Sequence, residues 1–429
     1  MRDGIRPVKL LQVEPTTRCN FTCGFCCGRR MDQSDMELDT FHRALDMFPN
    51  LERLELHGEG EPMLSPHFFE MAKAGSSRGL FVSAITNGSM FSSRNIEELL
   101  DSGIQILFVS TESARSSDFK RIRGGSLSRV KRGIRALLDA RDRRGQSTPS
   151  VGLSVTILKS TQEQLREIGD LYLELELDGG MSVHMLNTMP DYLQHYTDEM
   201  KSQTLTPAEH ALSWVRYNRI VEDPAFKRTR IHFSDMVFGQ IRTEGETPAG
   251  DRPAATTREY RSCPWLDDAL YVNRHGIATG CARIKDTETY GFGSVASGDP
   301  ATILNRRARL GLQIRAGEIA PACKGCFIAE SIGFRLQRVL DKRPTRLADA
   351  PTREGWESVS GQAAGVLPYD PVTIQEILDR CDGRLTTMEI IEQLAELSDA
   401  SPGDTRERVL PMMGELSRLK VIEFKREAP

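Results

Sequence analysis

The chain has 429 residues and a formal net charge of −4, from 56 basic and 60 acidic residues interspersed along it. This length predicts two or three domains, and the balance of charge gives no electrostatic case for nucleic acid as a partner. No apolar run approaches the roughly 18 residues of a membrane span. No signal peptide is recognisable, so we expect a cytoplasmic protein whose nine cysteines are reduced thiols or metal ligands.

From about residue 8 to 190, strand patterns alternate with helical patterns. The predicted strands are Val8–Val13, Arg53–His57, Phe81–Thr86, Gln105–Ser110, Val151–Ile157 and Met181–Leu186. The predicted helices lie at about 38–48, 67–78, 93–102, 127–144 and 161–174, and Ser160 with Glu163 forms a candidate capping box before the last. This alternation predicts an α/β fold with a parallel sheet covered by helices, and six units are too few for a closed eight-fold barrel.

Three cysteines follow the first predicted strand in a C-x3-C-x2-C pattern: Cys19, Cys23 and Cys26. Thiolates this close together can wrap one iron–sulfur cluster, and three ligands leave one iron of a four-iron cluster open. Zinc would need a fourth ligand, but neither His42 nor His57 follows at a usual spacing. Disulfides are disfavoured because the chain shows no secretory signal.

With the aromatic Phe25 before its third cysteine, this loop resembles that of the radical S-adenosylmethionine (radical SAM) family. The resemblance implies that the open iron chelates the amino and carboxylate groups of SAM. Reductive cleavage then releases a 5′-deoxyadenosyl radical that takes a hydrogen atom from the substrate. The resemblance also implies an open partial (β/α)6 barrel over residues 1–200, with the active site at the carboxyl ends of its strands.

The loop after the second predicted strand reads Gly58-Glu59-Gly60-Glu61-Pro62. Glycines let a backbone approach a ligand closely, and a carboxylate accepts bonds from an ammonium group. The loop resembles the family's G-G-E-P motif, which holds the methionyl amine of SAM. The alignment that keeps Glu-Pro puts Gly60 and Glu61 at the family positions, and Glu59 is a departure whose role stays open.

Further motifs follow the later strands. Asn87 lies in Thr-Asn-Gly, Ser110 and Glu112 lie in Ser-Thr-Glu, and Arg123 precedes two glycines. The resemblance implies that Asn87 lies near the methionyl group, that Ser110 and Glu112 reach the ribose hydroxyls, and that Arg123 binds the SAM carboxylate, which suits a bidentate guanidinium. The segment 184–187 would pack against adenine. No residue for the substrate step can be named from the sequence.

The remaining cysteines form a second set, Cys263, Cys281, Cys323 and Cys326, which follows a connecting helical or irregular segment at 201–260. A hairpin is predicted at 269–279 and a helix at about 301–316. Ligand count alone fits zinc or a [4Fe–4S] cluster equally well.

The layout of residues 261–340 resembles the twitch domain, a shortened SPASM domain. That resemblance implies one auxiliary [4Fe–4S] cluster, fully ligated by protein and suited to electron transfer.

Residues 341–366 have the composition of a linker, and 367–429 are predicted to form a small helical, winged-helix-like domain. Helices are expected at 370–382, 386–397 and 404–420, with a strand at 421–424. The run 377–391 resembles the small peptide-binding chaperone of pyrroloquinoline quinone biosynthesis. Leader-peptide binding and a purely structural cap both remain open for this domain.

Two thiols lie outside both cysteine sets. Cys27 adjoins the first loop, and Cys381 falls on a predicted apolar helix face. Either is a weak candidate to return a hydrogen atom to a substrate radical.

The leading hypothesis is a radical SAM oxidoreductase of natural-product biosynthesis. It would use SAM, two [4Fe–4S] clusters and an electron donor such as flavodoxin or ferredoxin to oxidise or epimerise a polar metabolite of the aminocyclitol or sugar type. A first alternative is a maturase that oxidises or cross-links a ribosomal precursor peptide. A second is a non-catalytic iron–sulfur scaffold or electron carrier, which would have no use for the SAM-pocket motifs.

Two separate cysteine sets predict about eight irons per chain after anaerobic reconstitution, as two four-iron clusters. Replacing Cys19, Cys23 and Cys26 together by Ala should leave about four irons and abolish SAM cleavage, because only the second set then holds iron. Iron analysis and 5′-deoxyadenosine detection measure both outcomes. An unchanged iron content in the triple variant would contradict the assignment.

Overall fold

A computed structural model describes residues 6–205, 223–227, 262–315, 318–326, 343–346, 371–398, 400–403 and 422–424, with isolated residues between these ranges. Two compact units divide the chain. The larger comprises Pro7–Arg252 and Asp268–Ile303, and the smaller comprises Met1–Arg6, Pro253–Asp267 and Leu304–Pro429. The predicted segment at 201–260, the helix at 404–420 and the linker lie mostly outside the described residues, and the predicted domain boundaries stay predictions.

The larger unit alternates strands with helices. Its first six strands are β1 (Leu10–Val13), β2 (Arg53–Leu56), β3 (Phe81–Thr86), β4 (Ile106–Ser110), β5 (Ser150–Ile157) and β6 (Met181–Met185). Its helices are α1 (Leu38–Met47), α2 (Phe68–Ser77), α3 (Ser93–Leu100), α4 (Ser116–Arg123), α5 (Leu127–Arg143), α6 (Leu165–Glu174), α7 (Pro190–Leu193), α8 (Asp198–Lys201) and α9 (Pro224–Lys227). No helix in the described part of the chain is both long enough and apolar enough to cross a membrane.

The six strands pair in parallel in the order β6-β5-β4-β3-β2-β1. Each strand neighbours the next one in sequence, which a parallel sheet allows only when a crossover returns the chain to the same end. The helices between the strands supply these crossovers. The predicted open (β/α)6 partial barrel is confirmed by this order.

The two faces of the sheet differ in chemistry because side chains alternate along each strand. One face carries Leu11, Leu54 and Val82, all completely buried, and the helices cover this face. A side chain at Gly75 of α2 would collide with Leu54, which shows how closely that helix packs. The other, more polar face carries Gln12, Glu55, Ser83, Ser110, Ser154, Thr156, Ser182 and His184, together with the apolar side chains of Phe81, Ile85, Ile106 and Phe108.

The predicted hairpin forms as β7 (Ala269–Val272) and β8 (Ile277–Thr279), and β9 (Gly293–Ser294) follows. β7 also pairs in parallel with β1, with Leu270 opposite Leu11. The hairpin thus extends the barrel sheet to nine strands among the described residues. The helices that precede and follow these strands in the sequence are α10 (Pro264–Asp268), α11 (Thr287–Tyr290) and α12 (Pro300–Arg315).

One sequence expectation about helices is wrong, and one helix was not predicted. Ser160 and Glu163 form no capping box, because Glu163 pairs with Arg216 and a 3-10 turn at Gln162–Gln164 precedes α6. Helix α4 was not predicted at all, since it is short and mostly polar. It buries Phe119 and Ile122 and ends where Gly124 adopts φ of 71°, a left-handed conformation that glycine takes without strain.

The described part of the C-terminal region contains β10 (Pro344–Arg346), α13 (Pro371–Arg380), α14 (Thr387–Ser398) and β11 (Ile422–Phe424). β10 pairs antiparallel with β11, so part of the predicted linker is a strand. Cys381 is 1% exposed and belongs to a hydrophobic core with Ile377 and Leu378, as its helical spacing predicted.

The replacement Thr386→Ala should loosen the start of α14. The Thr386 hydroxyl accepts a bond from Glu389 N at 3.2 Å, and Glu389 Oε2 accepts one from Thr386 N at 2.6 Å. Losing such a cap costs about 1 kcal/mol, which corresponds to roughly fivefold faster amide exchange in the first turn of α14. Hydrogen exchange read by mass spectrometry measures this, with Thr386→Ser as the control that keeps the hydroxyl. Equal exchange in wild type and Thr386→Ala would contradict the capping role.

Candidate active site

The cysteine loop after β1 is held from two sides by backbone hydrogen bonds. Thr22 N donates to Arg123 O at 2.9 Å, which ties the loop to the end of α4. Glu61 N donates to Arg18 O at 2.9 Å, which ties it to the loop after β2. A side chain at Gly60 would lie 2.4 Å from Thr16 O, so only glycine permits this approach. The loop therefore has a defined position although it contains no regular secondary structure around the cysteines.

The thiols of Cys19, Cys23 and Cys26 are half-buried and share one electrostatic environment. Burial raises the pKa of all three and brings that of Cys23 to about 11, and the neighbouring thiols raise the pKa of Cys26 further. Arg123 acts in the opposite direction and lowers the pKa of Cys19 and Cys23. Thiols with raised pKa values ionise poorly without a cation nearby. Three such thiols beside a guanidinium fit an iron–sulfur core, whose positive charge stabilises them as thiolates.

Among the described residues, no group of three or more Cys, His, Asp and Glu side chains is placed to hold a single metal ion.

Glu61 is 1% exposed and holds the loop after β3. Its Oε1 accepts a bond from Thr86 Oγ1 at 2.7 Å, and its Oε2 accepts one from Asn87 N at 2.6 Å. Asn87 Nδ2 in turn donates to Asn20 Oδ1 at 2.8 Å and lies 3.7 Å from Cys19 Sγ. Burial raises the pKa of Glu61 to about 7 despite these hydrogen bonds. The two predicted positions, Glu61 and Asn87, thus meet beside the first cysteine.

Glu112 and Arg123, predicted to contact different parts of SAM, bind each other. Arg123 donates through Nε and Nη2 to the two carboxylate oxygens of Glu112, with an Nη2–Oε1 distance of 3.0 Å. Both side chains are buried, and Arg123 Cζ lies 5.9 Å from the ring centroid of Phe25. A guanidinium has five N–H donors, so this pairing leaves donors for a ligand carboxylate. Ser110 lies at the end of β4, on the polar face of the sheet.

Sequence reasoning did not identify Lys285 and Tyr192 as part of this site. Lys285 Nζ lies 2.6 Å from Glu59 Oε1, and the Tyr192 hydroxyl donates to the same oxygen at 2.6 Å. The only signal was the unexplained Glu59 at a position where the family usually has glycine. Its partners come from distant parts of the chain that carry no recognisable motif.

The cysteines of the second set are divided between the two units. In the larger unit, the carbonyl of Cys281 accepts a bond from Thr279 Oγ1 at 3.0 Å. In the smaller unit, Cys263 precedes α10, and Cys326 N donates to Cys323 O at 3.0 Å in a tight turn. All nine cysteines are described, and none forms a disulfide. Assembly of these four around one cluster stays a prediction.

The family comparison decides the identity of the barrel. Residues 13–172 match the model of the Radical SAM superfamily. The barrel is therefore a radical SAM domain. This superfamily implies a [4Fe–4S] cluster and SAM as cofactors, and its members are enzymes, which supports a SAM-dependent activity for this chain. The matched residues contain the three-cysteine loop, Glu61, Asn87 and the Glu112–Arg123 pair.

Curated relatives include other radical SAM proteins. The tungsten-containing aldehyde ferredoxin oxidoreductase cofactor-modifying protein of Pyrococcus furiosus is 26% identical over 338 residues, which cover 76% of this chain and 89% of that protein. The AdoMet-dependent heme synthase of Methanosarcina barkeri is 28% identical over 215 residues, which cover 48% of this chain and 57% of the synthase.

Solved radical SAM structures share the fold at low identity. SuiB of Streptococcus suis bound to S-adenosylmethionine has a TM-score of 0.53 and 15% identity, over 69% of this chain and 65% of SuiB. The enzyme anSMEcpe with bound AdoMet and the Cp18Cys peptide has a TM-score of 0.54 and 13% identity, over 72% of this chain and 84% of that one. At these identities the likeness concerns the fold alone.

The replacement Glu61→Gln should weaken SAM binding by about 1.5–3 kcal/mol, because a hydrogen bond to a charged group is lost while the shape is kept. Glu61 must be ionised to receive an ammonium group, and its pKa is raised to about 7. SAM affinity of the wild type should therefore fall as the pH drops from 8 to 6, by about tenfold per unit below that pKa. Equilibrium binding of SAM at several pH values measures both effects.

The matched control is Glu70→Gln, which removes an exposed carboxylate from the first turn of α2. It should bind SAM as the wild type does. Equal dissociation constants for wild type and Glu61→Gln, or a pH dependence that survives in Glu61→Gln, would rule out this role.

Proposed function

We propose that this radical SAM enzyme removes a hydrogen atom from a carbon of a polar metabolite, of the aminocyclitol or sugar class, and oxidises it. The observation that carries the proposal is the polar face of the barrel sheet. Glu55, Ser110, Thr156, Ser182 and His184 lie on this face and are half-buried. A substrate that contacts them would meet hydrogen-bonding groups beside the apolar Ile85 and Phe108 of the same face. Such a lining suits a small molecule with several polar substituents.

The strongest polar group on this face is a cluster of Gln12, Glu55 and His57. Gln12 Nε2 lies 3.0 Å from His57 O and 3.0 Å from His57 Nδ1. A carbonyl oxygen can only accept, so the amide nitrogen of Gln12 must face it and Oε1 must face away. Gln12 is 1% exposed, and its Oε1 has no hydrogen-bond partner among the described residues.

This arrangement favours a ligand that donates hydrogen bonds. Nδ1 of His57 accepts from Gln12, so Nε2 carries the proton and donates to Glu55 Oε2 at 3.2 Å. The group left for a substrate is then an acceptor, the half-buried carboxylate of Glu55. Hydroxyl and ammonium groups are the donors that such a site suits, and both occur in amino sugars and aminocyclitols.

When bound, the cluster and SAM supply a carbon-centred radical that removes a hydrogen atom. Cys19, Cys23 and Cys26 would hold the cluster, Glu61 would receive the ammonium of SAM, and Arg123 would bind its carboxylate. Loss of the hydrogen atom from a carbinol carbon leaves a radical that becomes a carbonyl when it loses one electron and one proton. A [4Fe–4S] cluster held by the second cysteine set would accept the electron, and water would accept the proton. A flavodoxin or ferredoxin would supply the electron that cleaves SAM.

The alternative function is maturation of a ribosomal precursor peptide. It is favoured by the C-terminal helix pair α13 and α14, whose sequence resembles a peptide-binding chaperone. A short precursor gene beside this one would favour that alternative. The polar sheet face favours the small polar substrate.

Incubation with SAM, reductant and a panel of aminocyclitols and amino sugars in deuterium oxide tests the proposal. We expect a product that is two hydrogens lighter, carries no carbon-bound deuterium and forms with one 5′-deoxyadenosine, because the substrate loses an electron rather than regaining hydrogen. Mass spectrometry measures all three. The control is Cys281→Ala, which should still cleave SAM but yield little ketone. A product of unchanged oxidation state with one carbon-bound deuterium would overturn oxidation in favour of epimerisation.

A further inference from the structure

The unexpected carboxylate of Glu59 is held beside the cluster-binding loop. Its backbone N–H donates to Glu14 Oε1 at 3.0 Å. Its carboxylate lies inside the protein, since the side chain is only 12% exposed. Oε2 of Glu59 lies 3.5 Å from Cys26 Sγ, and the Glu59 carbonyl oxygen lies 3.6 Å from the same sulfur. Glu59 therefore contacts one predicted cluster ligand directly.

By itself this contact would oppose cluster binding. A four-iron core with charge of +2 and three thiolates carries a net negative charge of about one, and reduction adds another. A buried carboxylate at this distance repels that charge, and the repulsion grows when the cluster is reduced. A compensating cation is needed for Glu59 to be tolerated there.

Lys285 supplies that cation. Its Nζ lies 2.6 Å from Glu59 Oε1, and its side chain is 10% exposed. The ammonium also lies 5.6 Å from the ring centroid of Tyr192 and 5.5 Å from that of Tyr271, which favours the charged form. Burial lowers the pKa of Lys285, but the attraction of Glu59 raises it. The net pKa is well above its usual value. Burial raises the pKa of Glu59, but Lys285 and the hydrogen bonds from Tyr192 and Cys27 lower it, so the net pKa lies below its usual value.

We propose that Glu59 and Lys285 act as a positioning pair that orients Cys26 and sets the reduction potential of the cluster held by the three-cysteine loop. The Tyr192 hydroxyl, which donates to Glu59 Oε1 at 2.6 Å, fixes the carboxylate in its orientation toward Cys26. The pair also explains the departure from the usual glycine, since Glu59 is present together with its counter-ion. The role is independent of the substrate.

The pair is also connected to the second cysteine set, because Lys285 is close to Cys281 in the sequence. Lys285 follows Cys281 by four residues, and Lys285 N donates to Asp191 Oδ2 at 3.1 Å. The loop that follows β8 is thus tied through Glu59 to the loop that contains Cys26. A substitution of Lys285 should therefore change the reduction potential of the cluster held by the three-cysteine loop, although Lys285 lies far from that loop in the sequence.

The test is a charge cycle on the reconstituted full-length enzyme. The variants are Lys285→Met, Glu59→Gln and the double variant, with Lys285→Arg as the charge-preserving control. Lys73→Met is a second control, because Lys73 pairs with Glu98 at 2.8 Å on the surface. The readouts are iron content and the midpoint potential from a redox titration followed by electron paramagnetic resonance. The signal that changes when SAM is added identifies the cluster concerned.

We expect opposite shifts for the two single variants. Lys285→Met leaves the carboxylate uncompensated and should move the midpoint potential to a more negative value, because the reduced cluster is repelled more strongly. Glu59→Gln leaves the ammonium and should move it to a less negative value. The double variant should lie between them, and both controls should match the wild type.

Equal midpoint potentials in wild type, Lys285→Met and Glu59→Gln at full iron content would overturn the proposal, as would shifts of the same sign. If Lys285→Met folds but loses iron, the iron content of the double variant distinguishes a charge role of Lys285 from a packing role. Iron restored in the double variant supports the charge pair, whereas iron lost from both variants means that Lys285 has a packing role only.

Discussion

Everything proposed for this enzyme depends on holding three cysteines together in a loop with no regular structure around them. The parallel sheet makes this possible because the carboxyl ends of its strands meet at one edge. The loop after β1 hydrogen-bonds through its backbone to the loop after β2 and to the end of α4. Two glycines, Gly60 and Gly124, allow these contacts, since a side chain at either would collide with the loop. The position of the thiols is therefore set by the fold and not by the loop alone.

Three carboxylates around the loop are paired with cations, whereas Glu61 is held by hydrogen bonds from Thr86 and Asn87. Glu112 binds Arg123, Glu59 binds Lys285, and Glu14 lies 3.7 Å from the guanidinium of Arg274. A buried charge without a partner is costly, and truncation of one partner typically destabilises a protein by about 3–5 kcal/mol. Arg123 is in addition close to the thiols, and its spare donors remain available to an anionic ligand. The site thus combines neutralised charges with a few groups that still have unused hydrogen-bonding capacity.

The sequence was sufficient to predict the six barrel strands to within about two residues, because strand alternation and buried apolar runs are local signals. It also identified the positions that meet at the cysteine loop, since the family motifs follow successive strands. It could not show that Glu112 and Arg123 bind each other, or that Glu59 meets Lys285, because these contacts join distant segments. Helix α4 was not predicted because its sequence is mostly polar. Only Phe119 and Ile122 supply buried apolar side chains, which is too few for a clear helical period. The Ser160 N–H, which a capping box would direct to the Glu163 carboxylate, donates instead to Gln203 Oε1 at 3.1 Å.

The parallel pairing of β7 with β1 has a consequence for any shortened form of the enzyme. Without residues 269–272, β1 would be an edge strand with a row of unpaired N–H and C=O groups. Exposed edges of this kind promote pairing between molecules and aggregation. β1 also leads directly into the three-cysteine loop, so the same truncation would disturb the metal ligands. The barrel and the segment that returns to it through β7 are therefore better regarded as one folding unit than as a catalytic domain with a detachable accessory.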